Sequence, residues 1–191
     1  MTKNLFDTEV ENALAVLRSG GIILYPTDTV WGIGCDDTNE KAVQKIFELK
    51  KRADSKSMIV LVAEERDILQ YVAAPDMSVF NFIKEQQRPT TVIYESAIGL
   101  AENLVAADGS LAIRIVLDEF CRHLVKRLRK PIVSTSANIS GAPTPADFSS
   151  ISEEIKKGVD HVVQWRQDDQ QASLPSQIIK WQNGEVVYLR K

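Results

Sequence analysis

The fold depends on a change of pattern within the stretch Gly20-Gly-Ile-Ile-Leu-Tyr-Pro-Thr-Asp-Thr29. In residues 8–18, just before it, apolar side chains recur at helical spacing, and the two glycines are typical of a helix end. Residues 22–25 are wholly apolar and Pro26 follows them, which predicts a buried strand. A helix that leads directly into a buried strand indicates a fold in which helices pack against a sheet.

The same two patterns alternate along the rest of the chain. Helical spacing predicts helices at residues 39–50, 64–73, 77–86, 118–129 and 147–157. Apolar or alternating runs predict strands at 58–62, 91–94, 111–116, 131–134, 160–164, 176–180 and 185–190. Asn183-Gly184 is a typical hairpin turn between the last two strands. We therefore expect an α/β fold with a twisted mixed sheet and flanking helices, whose strand order these patterns do not specify.

Size and composition predict one globular domain over residues 1–191. Of the 191 residues, 44% are hydrophobic and 26% are charged, which is enough for one core. No apolar run approaches the ~20 residues of a membrane span, and the N-terminus lacks the layout of a signal peptide. We expect a cytoplasmic protein with no membrane contact. The two cysteines, Cys35 and Cys121, are expected to be buried thiols rather than disulfide partners or zinc ligands.

The charge of the chain restricts its partners. A formal net charge of -3 argues against a generally basic nucleic-acid binder, yet leaves room for a local cationic pocket. One basic cluster does occur, and we call it the 122–130 basic cluster: Arg122, Lys126, Arg127, Arg129 and Lys130. It fits either the solvated face of a helix or a patch that binds tRNA or double-stranded RNA.

Three segments are richer in polar and cationic residues than their positions require. Residues 25–36 place hydroxyls and a carboxylate after a buried strand, a floor for a small polar ligand or a capped turn. Residues 50–56 place cations where a helix meets a strand, which suits either the helix dipole or a triphosphate. Residues 134–145 form a polar loop closed by a glycine and two prolines, suited to phosphate or ribose as well as to simple capping. Neither a P-loop nor a Rossmann fingerprint is present.

In this order, the three segments resemble the YrdC-like family of threonylcarbamoyl-adenylate synthases. The stronger matches are residues 25–34 (Y-P-T-D-T-V-W-G-I-G), the pair Lys50 and Arg52, and the pair Ser136 and Asn138. Weaker matches lie at residues 112–115 and in the tail, at residues 175–179 and 189–190. The matches extend over nearly the whole chain, and the resemblance is to the short form without an extra C-terminal domain.

The resemblance implies an open, concave, positively charged cleft over the sheet. It implies synthesis of threonylcarbamoyl-adenylate from L-threonine, bicarbonate and ATP, for a downstream threonylcarbamoyl transferase complex that modifies tRNA. It implies that Thr29, Arg114 and Ser176 bind L-threonine, with Arg114 paired to the carboxylate. It also implies that Lys50 and Arg52 are catalytic. The implied ATP-binding residues are Arg52, Lys56, Ser110, Ser136, Asn138, Thr144 and Arg190.

The expected chemistry needs alignment and charge neutralisation rather than a covalent enzyme intermediate. No Ser/His/Asp or Cys/His set is evident in the sequence. Charge on the reactants would be neutralised by Lys50, Arg52, Lys56 and Mg²⁺. No acidic cluster is dedicated to a metal, so Mg²⁺ is expected to be carried mainly by the phosphates, with Asp28 and Asp36 as candidate helpers.

Arg114 needs an anion or water, because it lies within an apolar strand pattern. If its face of the strand lines the cleft, we expect it to be solvated until threonine binds. The structural alternative is a fixed ion pair with Asp28 or Asp118.

Several positions differ from the family pattern. Leu61 stands where some members have a histidine, Val116 where proline is usual, and Gln177 where threonine is usual. Residues 87–91 and 165–171 also differ from the usual P-G-P-L-T and glycine-rich stretches. These differences leave open a paralogue that uses another carbamoyl or acyl donor, or one that binds RNA or nucleotide without catalysis.

Overall fold

The computed structural model describes residues 4–52, 58–169, 174–182 and 184–191. The helices in these residues are α1 Leu5–Arg18, α2 Glu40–Leu49, α3 Glu65–Ile68, α4 Ser78–Glu85, α5 Glu119–Leu128 and α6 Glu153–Gly158, with a 3-10 helix at Glu102–Leu104. The strands are β1 Ile23–Tyr25, β2 Gly32–Gly34, β3 Ile59–Val62, β4 Thr90–Tyr94, β5 Leu111–Ile115, β6 Ile132–Ser136, β7 His161–Val162, β8 Gln177–Gln182 and β9 Glu185–Arg190.

These strands form one mixed sheet in the order β7-β1-β2-β6-β3-β5-β4-β8-β9. The pairs β1–β7, β3–β5 and β4–β8 are parallel, and the other neighbours are antiparallel. The predicted α/β class with a twisted mixed sheet and flanking helices is therefore confirmed. The hairpin between β8 and β9 is confirmed too, since Gln182 pairs with Glu185 and Gly184 has φ +78°, although Asn183 lies outside the described residues.

The two faces of the sheet are covered unequally. Helices α2, α3, α4 and α6 cover one face along most of its width, over side chains such as Val60, Val92 and Ile113. On the other face, α1 and α5 cover only one region, around Tyr25, Leu61 and Ile132. The rest of that face, which includes Ile59, Arg114, Ser134 and Ile178, is covered by none of the helices described above and forms the floor of an open cleft.

Two helices are shorter than predicted. A β-bridge follows the first, and side-chain hydrogen bonds to the backbone delay the start of the second. Instead of 64–73, the helix ends at Ile68, and Val72 forms a β-bridge with Ala97. Instead of 147–157, it begins at Glu153: the Asp147 carboxylate accepts hydrogen bonds from the Ser149 and Ser150 hydroxyls and from the Ser150 backbone nitrogen. Short polar side chains that bond the local backbone compete with helix formation in this way.

Strand β2 was missed, because two of its three residues are glycines, which are depleted in strands. Here the glycines are required by close packing. A Cβ atom at Gly34 would collide with the Val133 carbonyl oxygen and the Tyr25 ring. A strand without side chains on one face therefore fits between β1 and β6.

Two smaller expectations were also tested. Cys35 and Cys121 are both free and buried, as predicted. Among the described residues, no helix combines the length and the apolar content that a bilayer crossing requires.

Candidate active site

The open cleft collects most of the predicted site residues from distant parts of the chain. It is bordered by β3, β5, β6, β8 and the loop after β1. Seven predicted site residues line it: Thr29, Arg52, Arg114, Ser136, Thr144, Ser176 and Arg190. Lys50, Ser110 and Asn138 are not in its lining, and Lys56 lies outside the described residues. The enclosed part holds about 170 Å³, less than the roughly 300–1,000 Å³ of a pocket that buries a whole drug-sized ligand, so a nucleotide would extend beyond it.

The loop after β1 holds Thr29 at the edge of the cleft through its own hydroxyl groups. The Thr27 hydroxyl donates to the Val30 carbonyl oxygen (2.8 Å) and accepts from the Thr29 backbone nitrogen (3.0 Å). The two threonine hydroxyls also lie 3.0 Å apart, within hydrogen-bond distance. The loop is thus a hydroxyl-capped turn, and it places a threonine hydroxyl in the lining.

Arg114 lies at the bottom of the cleft and is only 3% exposed. Its Nη2 atom donates to Asp28 Oδ1 at 3.0 Å, and Asp28 Oδ2 accepts from the Leu117 backbone nitrogen at 3.2 Å. The expectation of a solvated arginine is therefore wrong, because the loop after β1 carries Asp28 into contact with β5. Of the two partners considered, Asp28 is the one found; Asp118 caps α5 and pairs with Arg166.

The ion pair does not use the whole guanidinium. The Nε atom of Arg114 is buried and has no hydrogen-bond partner among the described residues. An unsatisfied buried donor costs about 1–3 kcal/mol. Arg114 is part of the lining, so an anion in the cleft lies against its guanidinium, although the Nε atom itself is buried.

Ser176 connects Arg190 to the strand next to Arg114. Its buried hydroxyl lies 2.8 Å from the Thr91 hydroxyl and accepts from Arg190 Nη2 at 3.2 Å. Arg190 Nε donates to the Ser176 carbonyl oxygen at 2.9 Å. Thr91 is directly opposite Arg114 in the β4–β5 ladder. Thr91 is fully buried and does not line the cleft, so it supports Ser176 from within the sheet, a role that the sequence analysis did not predict.

The cleft is cationic. Burial, and then the charges of Arg114 and Arg88, lower the pKa of Arg190. Burial also lowers the pKa of Arg52. None of the described lining residues is an aspartate or glutamate. An anionic ligand in the cleft would offset the burial of Arg52 and Arg190 and the repulsion that Arg190 experiences from its neighbouring arginines.

Lys50 does not reach the cleft, in contrast to the expectation that it is catalytic. The side chain is 1% exposed, and Nζ donates to the carbonyl oxygens of Ser136 and Asn138 and to Asn138 Oδ1. Asn138 is likewise engaged within its own loop, where Oδ1 accepts from the Ser136 hydroxyl at 2.5 Å and Nδ2 donates to Ala142 O at 2.6 Å.

Ser110 lies just before β5, on the same face as Ala112 and Arg114 but beyond the lining of the cleft. Its backbone nitrogen donates to Asp108 Oδ1 at 3.0 Å. We therefore see no contact that links it to the cleft.

The acidic residues considered as Mg²⁺ helpers are engaged elsewhere. Asp28 pairs with Arg114, as described above. Asp36 bridges to Ile132, at the opposite end of β6 from Ser136, and accepts from Lys130 Nζ at 2.8 Å. The described residues contain no group of three or more histidine, cysteine or acidic side chains placed to hold a metal ion.

Three residues of the 122–130 basic cluster form ion pairs within the chain. Lys126 pairs with Glu64 at 2.6 Å, and Arg127 lies 3.8 Å from Asp7. Lys130 pairs with Asp36. These contacts favour the interpretation as a solvated helix face over an RNA patch.

Three of the positions that differ from the family lie in the packed interior. Leu61 and Val116 are fully buried in the core that α1 and α5 cover. Gln177 Nε2 donates to Thr90 Oγ1 at 2.6 Å and to Gln86 Oε1 at 3.0 Å. None of these three side chains lines the cleft.

Known proteins share this sequence pattern and this fold. The Sua5/YciO/YrdC family model, described as "Telomere recombination", matches residues 15–191. A threonylcarbamoyl-AMP synthase of Idiomarina loihiensis is 33% identical over 171 residues, which cover 87% of this chain and 90% of that protein.

Solved structures of the same kind superpose closely. Sua5 of P. abyssi, complexed with L-threonine, has a TM-score of 0.84 at 21% identity, and the match covers all of this chain and 55% of the Sua5 chain. YciO of E. coli has a TM-score of 0.80 at 18% identity, covering all of this chain and 91% of that one. This chain therefore spans about half the length of the Sua5 structure. At these identities the likeness shows the fold.

Proposed function

Because this chain belongs to the Sua5/YciO/YrdC family, we propose that it is a threonylcarbamoyl-AMP synthase. Its substrates are L-threonine, bicarbonate or CO₂, and ATP, and its products are L-threonylcarbamoyladenylate and pyrophosphate. One observation carries the proposal: a single cationic cleft brings Arg114, Ser176 and Arg190 together with Arg52, Ser136 and Thr144. The first three residues suit one anionic reactant and the second three suit another, so the cleft would hold the two reactants side by side.

L-threonine binds at the buried end of the cleft. Its carboxylate accepts from the guanidinium of Arg114, which lines the cleft. Asp28 holds the other side of the guanidinium, so the arginine is oriented before the substrate arrives. Thr29 and Ser176 supply hydroxyl groups for the amino acid's own polar atoms.

ATP occupies the more open side. Arg52 and Arg190 neutralise its phosphates, while Ser136 and Thr144 supply hydroxyls. Mg²⁺ enters on the phosphates, since the described lining offers no carboxylate. Lys56 and Ser110 remain candidate nucleotide ligands, and Asn138 acts through the loop that carries Ser136.

The reaction runs in two steps without a covalent bond to the enzyme. First the threonine nitrogen forms a bond to the carbon of CO₂ and loses a proton, which yields a carbamate. A carbamate oxygen then attacks the α-phosphorus of ATP as the bond to the β-phosphate oxygen breaks, and pyrophosphate leaves. The arginines stabilise negative charge on both reactants and on the leaving group.

The product is a mixed anhydride, so a transferase must consume it quickly. We propose that a threonylcarbamoyl transferase complex passes the acyl group to an adenosine of tRNA, as N6-threonylcarbamoyladenosine. We place the reaction in the cytoplasm, where two free buried thiols such as Cys35 and Cys121 are stable.

The decisive experiment measures pyrophosphate release by the purified protein with ATP, Mg²⁺, bicarbonate and threonine. Release should require both threonine and bicarbonate, and mass spectrometry should find threonylcarbamoyladenylate. A panel of other amino acids tests whether another donor is used. No ATP consumption with any donor, together with RNA binding, would instead support a non-catalytic RNA-binding protein.

A further inference from the structure

The Lys50 ammonium is enclosed by oxygens of a single loop. Its three neighbours are the carbonyl oxygens of Ser136 and Asn138 and the side-chain Oδ1 of Asn138, the last two at 2.7 and 3.4 Å. An ammonium group has three N–H donors and no acceptor. Three acceptors therefore satisfy it completely, and no donor remains for a phosphate.

The burial of Lys50 also indicates that its ammonium does not contact a ligand in the cleft. Lys50 is 1% exposed and is absent from the lining of the cleft, whereas Arg52, two residues further on, belongs to that lining. The two cations at the end of α2 therefore have different surroundings: Arg52 lines the cleft, whereas Lys50 enters the loop that borders it.

The backbone strengthens this connection. The Lys50 carbonyl oxygen accepts from the Ser140 backbone nitrogen at 2.8 Å. From Asn138, the amide Nδ2 continues to the Ala142 carbonyl oxygen at 2.6 Å, two residues before Thr144. Lys50 therefore holds residues 136–140 at both ends and reaches the approach to Thr144.

We propose that Lys50 is a positioning residue, which holds the loop of residues 136–142 in the shape that presents Ser136 and Thr144 to the nucleotide. The claim that the loop presents these two residues to a nucleotide rests on the proposed function. The claim that Lys50 holds the loop does not. Without the ammonium, the carbonyl oxygens of Ser136 and Asn138 lose this donor, Asn138 Oδ1 keeps the Ser136 hydroxyl, and the loop samples other shapes.

The effect of losing Lys50 on ATP binding depends on the fraction of molecules in which the loop has the correct shape. If only a fraction of molecules has the correct loop, the apparent dissociation constant rises by the reciprocal of that fraction. Loss of Lys50 should therefore raise KM for ATP about tenfold if one molecule in ten keeps the loop shape. Saturating ATP restores the loop, so kcat falls by a smaller factor. A phosphate ligand would behave differently, because its loss removes charge stabilisation from the transition state and lowers kcat.

Lys50→Met and Arg52→Met form a matched pair for the test. Each replaces a cation near the end of α2 by the same apolar side chain. Amide hydrogen exchange of the ligand-free proteins is followed over residues 137–142, and KM for ATP, KM for threonine and kcat are measured. We expect Lys50→Met to speed exchange there about tenfold and Arg52→Met to change exchange much less, because Lys50 makes three hydrogen bonds to this loop. We also expect the ATP KM of Lys50→Met to rise more than its kcat falls, and its threonine KM to change least.

Either of two results overturns the proposal: unchanged exchange in Lys50→Met, or a kcat loss equal to that of Arg52→Met. If Lys50→Met does not fold, the unsubstituted protein is treated with an amine-acylating reagent instead. The rate at which Lys50 is labelled is then measured by mass spectrometry. Labelling of Lys50 that is slow with and without ATP supports the proposal, and rapid labelling that ATP suppresses overturns it. If the protein has no threonine-dependent turnover at all, the proposed function fails, while the exchange comparison still decides whether Lys50 holds the loop.

Discussion

Replacing Arg114 separates its structural role from its role with substrate, provided that its partner is replaced as well. In the ligand-free protein Arg114 pairs with Asp28, and the two side chains are only 3% and 10% exposed. Removing one member of a buried ion pair leaves the other charge uncompensated and costs about 3–5 kcal/mol. For a chain of this size, such a loss lowers Tm by roughly 6–20 °C. The hydrogen bond from the Leu117 nitrogen to Asp28 keeps the cost towards the lower end.

Arg114→Met should therefore unfold at lower urea than the unsubstituted protein at pH 7. The double variant Asp28→Asn with Arg114→Met should recover most of the lost free energy, because no buried charge is left without a partner. Denaturant titrations at pH 7 measure both effects.

Function is then tested in the stable double variant. If Arg114 binds the threonine carboxylate, the double variant should show no threonine-dependent pyrophosphate release, whereas the single variant Asp28→Asn should retain some. Two results would refute the reasoning: an Arg114→Met variant that loses less than about 1 kcal/mol, or a double variant that still responds to threonine.

Three further predictions concern the cleft and one buried carboxyl. Arg52→Ala should lower turnover by about two orders of magnitude, the scale of one preorganised donor, with little change in Tm; near-normal pyrophosphate release would contradict its role. Threonine should stimulate ATP consumption far more than valine, because valine lacks the hydroxyl that Thr29 or Ser176 would hydrogen-bond; equal stimulation would point to another donor. Asp37 is fully buried and its carboxylate has no hydrogen-bond partner among the described residues, and burial and the neighbouring Asp36 raise its pKa to about 8. An unfolded aspartate has a pKa of about 3.9, so the contribution of Asp37 to stability is complete below that pH and is lost as pH rises towards 8. Relative to Asp37→Asn, the unfolding free energy of the protein should fall by roughly 1.4 kcal/mol per pH unit in that window; parallel pH profiles in urea titrations would contradict this.

The sequence alone determined the class of fold and the family. Helix and strand periodicity is a local property, so α1, α2, α5 and most strands could be predicted to within a few residues. Elements set by special local chemistry were missed or misplaced, such as the glycine strand β2 and the delayed start of α6 at Glu153. The family motifs named seven residues that do line one cleft, because motif positions carry the requirements of a shared ligand.

Only the tertiary structure decided what those residues do in the ligand-free protein. Motifs group Lys50 with Arg52, yet one side chain enters a loop 88 residues away and the other lines the cleft. Arg114 was expected to be solvated, yet it meets Asp28 across 86 residues of sequence. A buried charge takes whatever partner the packed chain brings within about 3 Å, and local sequence patterns carry no information about which distant segment that is.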